Sequence, residues 1–131
     1  MISILIASGS RYPVGRKKIK EKAGNFLAAL GMDQVEVSIL VGGDRLLRNL
    51  NRQFRELDEV SEVLAFPQEG KRGPDGVLYL GDVVISYPAA RRIAMEENKR
   101  VDEIIEELVV HGLNNLTKQN GLLSKIPTTK A

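Results

Sequence analysis

His111 is the single histidine of the chain and the first residue to consider for chemistry. On a predicted helix, His111 and Asn115 share a face with Ile104 and Leu108, because their spacing follows the helical repeat. Two side chains four apart can reach one metal ion, but an amide oxygen is a poor zinc ligand beside imidazole, thiolate or carboxylate. The residues alone therefore favour a histidine satisfied by hydrogen bonds at the edge of a core over a metal ligand.

Basic residues form a second candidate site near the start of the chain. Six of them lie between Arg11 and Lys22, against the single acid Glu21. A basic stripe can follow a phosphate backbone, which makes Arg16 and Lys17 candidate RNA contacts, but a solvated helix face is an equally good interpretation. The net charge of +2 is too small to identify a nucleic-acid-binding protein by itself.

The composition fits one globular domain over residues 1–131, with a tail at 127–131 that we expect to be frayed. The absence of cysteine excludes disulfides and thiolate metal ligands, and it fits a reducing compartment. No apolar run is long enough to span a bilayer, and the apolar start of the chain is interpreted as a buried strand rather than a signal peptide. These features predict a cytoplasmic protein without a membrane partner.

The elements that must position these residues follow from hydrophobic periodicity. Apolar residues at helical spacing predict four helices; Gly31 is expected to end the first, and Asp44 and Asp102 are candidate caps of later ones. Phe54 and Phe66 are assigned to the core. Alternation predicts strands near 2–6, 35–41, 63–66 and 80–86. The order strand, helix, strand, helix, strand, strand, helix, helix indicates an α+β domain with a mixed sheet.

Four sequence blocks resemble those of the YbeY family of ribosomal-RNA maturation nucleases. Leu50 to Asp58 is similar to a helix-end pattern of Leu-Asn, an aromatic residue, Arg and Asp, and Val63 to Pro67 is similar to Val-Leu-Ser-Phe-Pro. Gly81 to Ser86 matches Gly-Asp-Ile-Val-Ile-Ser, and Val110 to Leu113 matches the opening of His-Gly-x-x-His-Leu-x-Gly-x-Asp-His. Any one block would be a weak signal, whereas four in the family's order identify the family.

The resemblance implies a metalloprotease-like fold with a mixed four-stranded sheet flanked by helices. It also implies a single-strand-specific endoribonuclease in ribosomal-RNA maturation, with RNA and the small ribosomal subunit or associated factors as partners and no DNA partner. In such proteins three histidines hold zinc, and the first corresponds to His111. An arginine on the helix before the third strand binds RNA phosphate and corresponds to Arg55, whose guanidinium fork suits a phosphate. Arg55 and His111 are thus the candidate catalytic residues.

The chain departs from the family pattern at the metal site. Asn115 stands at the second histidine position and Gly121 at the third, so His111 is the remaining imidazole. A catalytic zinc needs about three protein ligands and an open position. We therefore expect no tightly bound zinc.

Two replacements for the lost ligands stay open. A carboxylate from Glu62, Asp82 or Asp58 would favour magnesium or manganese over zinc. Lys118 instead brings a positive charge that opposes a metal cation and favours an anion, so the pocket could bind an RNA phosphate directly.

Three hypotheses follow. The first is a ribosome-associated protein that binds single-stranded RNA through Arg55, Lys118 and the basic stripe, with a degenerate nuclease site. The second is a working endoribonuclease with an altered, weakly metal-dependent site around His111. The third is a protein–protein interaction module on the same fold. An enzyme should cleave RNA in a chelator-sensitive way, whereas an RNA-binding protein should show salt-dependent affinity without cleavage.

Overall fold

The computed structural model describes residues 1–9, 11–58, 61–68 and 72–119; the tail predicted at 127–131 lies outside them. The elements occur in the predicted order: β1 (Ile2–Ser8), α1 (Arg16–Ala29), β2 (Val35–Gly42), α2 (Asp44–Arg55), β3 (Val63–Pro67), β4 (Leu78–Ser86), α3 (Tyr87–Glu97) and α4 (Val101–Gln119). Among the helices of these described ranges, none combines the length and apolar character needed to cross a membrane.

The four strands form one sheet in the order β1-β2-β4-β3. β1 is parallel to β2 and β2 to β4, whereas β3 is antiparallel to β4. The predicted α+β fold with a mixed four-stranded sheet is therefore confirmed. β1 and β3 are the two edge strands, so they lie at opposite sides of the sheet.

The two faces of the sheet carry cores of different size. Every second residue of β2 is buried in the larger core, which α1, α3 and α4 cover. On the opposite face, α2 covers a smaller cluster of Leu47, Leu64 and Val84. Successive residues of β3 therefore contact different helices: Val63 belongs to the α4 side and Leu64 to the α2 side.

Gly31 ends α1 as predicted. Its φ of 77° is left-handed, and its N–H donates to Ala28 O at 2.9 Å while Met32 N–H donates to Leu27 O at 3.2 Å. This pair of bonds satisfies carbonyls that the last turn of a helix leaves without partners. It also turns the chain towards β2.

The prediction that Asp44 and Asp102 cap helices is wrong. Gly43 is the cap of α2 and Asp44 its first helical residue, while Asp102 is the second residue of α4. The Asp44 carboxylate accepts hydrogen bonds from Ser86 Oγ at 2.6 Å and Arg92 Nη1 at 3.0 Å, and these contacts draw it away from its own helix. The hydrogen bond from Arg92 is the main reason that the pKa of Asp44 lies below its usual value.

Candidate functional site

Gly112 brings α4 against the edge strand β3. A Cβ at Gly112 would lie 2.5 Å from Val83 Cγ1 and 3.0 Å from Val63 Cγ2, so a larger residue would force the helix away. One turn later, Leu116 packs near Gly81, which pairs with the last residue of β3. α4 therefore runs alongside β3 over the length of the strand.

The outer edge of β3 presents backbone groups beside α4. Ser86 N–H donates to Glu62 O at 2.9 Å, which fixes the residues of β3 that bond to β4. Because hydrogen-bonding direction alternates along an antiparallel strand, the N–H and C=O groups of Val63 and Ala65 point away from the sheet. In the described part of the chain no further strand pairs with this edge.

His111, Asn115 and Lys118 follow one another along α4 at a spacing that places them on one strip. His111 is exposed, Lys118 is half-buried and Asn115 is 6% exposed. Asn115 Nδ2 is buried, and within the described residues it has no hydrogen-bond partner. An amide nitrogen can only donate, so this atom calls for an acceptor and not for a cation. We call this strip, together with Arg55 and the outer edge of β3, the edge site.

Arg55 lies in the last turn of α2, next to the start of β3. Its Nη1 donates to Asn51 Oδ1 at 3.3 Å, and Asn51 Nδ2 donates to Ser61 Oγ at 2.9 Å. Ser61 lies two residues before β3, and His111 adjoins Gly112, whose backbone faces the first residue of that strand. Arg55 is thus linked through Asn51 to the segment before β3, and His111 adjoins the glycine that packs on Val63 and Val83.

Asp58 is engaged by two other arginines of α2. Its Oδ1 accepts from Arg52 Nε at 2.8 Å and Arg48 Nε at 2.9 Å. These bonds, the one from Arg52 foremost, hold the pKa of Asp58 below its usual value. All three side chains are largely exposed, so the contribution of the ion pairs to stability is small. Asp58 therefore forms surface ion pairs with α2.

Arg16 and Lys17 lie near the other edge of the sheet. Arg16 donates to Ile6 O at 2.6 Å and to Ser8 Oγ at 3.1 Å, which fastens the start of α1 to β1. Lys17 is exposed. The structure therefore places Arg16 at the edge of the sheet opposite β3.

The residues that the structure describes do not fit a zinc ion. Asp82 lies on the sheet face opposite α4, where it accepts a hydrogen bond from Tyr79 Oη at 2.6 Å. Burial of the Tyr79 hydroxyl, and after it this hydrogen bond to Asp82, raises the pKa of Tyr79. Among the described residues no group of three or more His, Cys, Asp or Glu side chains could hold a metal ion. Gly121, at the third histidine position, lies outside those residues. One imidazole beside an amide that needs an acceptor makes a poor zinc site.

The assignment of Phe54 to the core is wrong. Phe54 is 60% exposed, because it lies in the last turn of α2, and its ring meets that of the half-buried Phe66 with centroids 5.4 Å apart. Phe54 belongs to the apolar stripe of α2, and this is why the sequence predicted a core residue. Its position next to Arg55 at the end of the helix was the sequence feature that could have indicated exposure.

A family model described as Endoribonuclease YbeY matches residues 10–117. An Endoribonuclease YbeY of Anaeromyxobacter dehalogenans is 36% identical over 116 residues, covering 86% of this chain and 59% of that protein. The one of Aquifex aeolicus is 39% identical over 103 residues, covering 79% and 67%. The solution structure of a Thermotoga maritima protein superposes with a TM-score of 0.58 at 26% identity, covering 88% of this chain and 71% of that one. The chain thus spans little more than half the length of some curated relatives.

Proposed function

Because this chain belongs to the YbeY endoribonuclease family, we propose that it acts in ribosomal-RNA maturation as a protein that binds single-stranded RNA, with a degenerate metal-dependent nuclease site. The RNA backbone lies in the edge site, between the outer edge of β3 and the strip of α4 that carries His111, Asn115 and Lys118. Arg55 contacts a phosphate at the start of the strand.

The observation that carries this proposal is the Nδ2 of Asn115, which is buried and has no hydrogen-bond partner among the described residues. A buried donor without a partner costs about 1–3 kcal/mol. A phosphate oxygen would satisfy it once the amide rotates out towards solvent. Charge supports the same ligand, since α4 from Leu108 to Gln119 contains Lys118 and no acidic residue. The outward N–H groups of Val63 and Ala65 add backbone donors along the same path.

The same donors argue against a tightly bound zinc. Lys118 repels a cation, and Asn115 offers its hydrogens where a metal needs a lone pair. Arg16 and Lys17, at the opposite edge, contribute at most long-range attraction for RNA. The proposed setting is the cytoplasm, with the small ribosomal subunit or an associated factor as the larger partner and with neither DNA nor a membrane involved.

Titration of labelled single-stranded ribosomal RNA at several salt concentrations, read by fluorescence anisotropy, tests the proposal. We expect affinity to fall with salt, because phosphate contacts release counterions. Asn115→Leu should weaken binding about tenfold or more, as a hydrogen bond to a charged group is lost. Lys118→Ala should reduce the salt slope by about one.

A matched control is Lys99→Ala. Lys99 lies before the start of α4, at the far end from Lys118, and its ammonium group is paired with Glu97 at 3.4 Å and Glu107 at 3.3 Å. This variant should bind RNA as the unmodified protein does. Equal affinity for Asn115→Leu and the unmodified protein would contradict the phosphate site.

Two further results would replace the proposal by its alternatives. Cleavage of single-stranded RNA that a chelator abolishes, or one equivalent of zinc by elemental analysis, would indicate a working endoribonuclease around His111. A protein that neither binds nor cleaves RNA would instead be an interaction module.

A further inference from the structure

Phe54 and Phe66 form an aromatic pair on the α2 side of β3. Phe66 is half-buried against the small core of Leu47, Leu64 and Val84, which fixes its ring. Phe54 packs on it at an interplanar angle of 60° and remains 60% exposed. The ring of Phe54 is therefore held in place by Phe66 and faces solvent. Exposing an aromatic ring to water does not stabilise a fold, so the exposed ring calls for another explanation.

The helix that carries Phe54 is basic. α2 carries Arg45, Arg48, Arg52 and Arg55 at spacings of three, four and three, which places them along one face, and its single acid is Asp44. Phe54 lies on a different face of the same helix. Asp58 compensates one of these charges through Arg48 and Arg52. A polyanion fits this charge balance better than an apolar protein surface does.

The aromatic pair and the edge site share the strand β3. Val63 and Ala65 turn towards α4, whereas Leu64 and Phe66 turn towards α2. A chain whose phosphates follow the outer edge of β3 can therefore place a base on the α2 side without leaving the strand. Arg55 follows Phe54 in the last turn of α2, about 100° further around the helix.

We propose that Phe54, supported by Phe66, is a stacking platform for one nucleobase of the RNA strand held in the edge site. This inference rests on the proposed RNA-binding function and adds to it a contact with a base. Stacking on a ring accepts any base, so the platform selects unpaired bases over duplex without reading their identity.

The test compares Phe54→Leu, which keeps apolar contact with Phe66 but removes the ring, with Phe54→Tyr, which keeps the ring. Each is titrated with a short oligouridine and with the same strand carrying abasic riboses. We expect Phe54→Leu to bind oligouridine about 5- to 150-fold more weakly, and Phe54→Tyr to bind as the unmodified protein does. Phe54→Leu should leave affinity for the abasic strand unchanged. Met95→Ala, which alters a 79% exposed side chain on α3, is the control and should change neither affinity.

Unchanged oligouridine binding by Phe54→Leu, together with weakened binding by Asn115→Leu, would refute the platform and leave the proposed function standing. An equal loss for both strands would also refute it, because the missing ring would then act through something other than a base. If the unmodified protein binds neither strand, the proposed function fails and the platform fails with it.

Discussion

The two sides of α4 differ in the kinds of side chain that they carry. One side carries Leu113 and Leu116, both fully buried, and Gly112, which admits the side chains of Val63 and Val83. The other side, one step around the same helix, carries an exposed histidine, a lysine, and a buried amide nitrogen that has no hydrogen-bond partner among the described residues. The first side is a well-packed core, whereas the second contains a polar group that the described packing leaves unsatisfied.

The fold alone explains the packed side. Packing of α4 on β3 and β4 needs small and apolar residues at fixed positions, such as Gly112 and Leu116. Neither residue carries a group that could bind a ligand. The function therefore has to be argued from the other side of the helix.

The largest expected effect is on the packed side. Leu113→Ala should lower the free energy of unfolding by about 2–5 kcal/mol, because it opens a cavity in the main core. Urea denaturation followed by circular dichroism measures this. A loss below about 1 kcal/mol would mean that α4 packs less closely than described.

Gly112→Ala should cost about 1–3 kcal/mol, because its Cβ would overlap Val83. Gly24→Ala in α1 is the matched control: apart from the neighbouring backbone of its own helix, nothing lies within 4 Å of its Cβ position, so it should stabilise by about 0.5–1 kcal/mol. Thermal denaturation of both variants should give shifts of opposite sign. Shifts of the same sign would contradict the close approach of α4 to the sheet.

Asn115→Leu should raise the free energy of unfolding by about 1 kcal/mol, because it removes a buried donor that has no partner within residues 1–119 as described. Asn51→Leu, at a fully buried amide that bonds Ser61 and Arg55, should lower it by about the same amount. Chemical denaturation of the two variants tests whether the burial of an amide or its hydrogen bonding determines its contribution to the free energy of unfolding. Gained stability with lost RNA affinity at Asn115 is typical of a residue kept for binding.

The smallest effect is expected at His111. His111→Ala should change the free energy of unfolding by no more than about 0.5 kcal/mol, since the side chain is exposed. A larger loss in the same denaturation assay would reveal a structural role and weaken the contrast between the two sides of α4.

The sequence predicted the order of the elements, the mixed sheet and the family, because each depends on periodicity or on short blocks of residues. It predicted the end of α1 at Gly31 because that end needs a left-handed residue. It also placed Arg55 and His111 in one site through the family pattern, and that placement stays a prediction.

The sequence could not predict contacts that depend on distant partners. Asp44 has the composition of a cap, but Ser86 and Arg92 approach it from far along the chain. Phe54 follows the apolar stripe of α2, yet the stripe outruns the small core beneath it. Likewise, nothing in the residue type of Asn115 reveals that its amide nitrogen is buried with no partner in the described part of the chain.

The short length of β3 also bears on solubility. A free sheet edge is a template on which strands of other molecules can pair, and so a starting point for aggregation. β3 offers only the outward groups of Val63 and Ala65 before Pro67, which has no N–H to donate. Two residues are too few to hold a foreign strand, so the edge can stay open to solvent without inviting self-association.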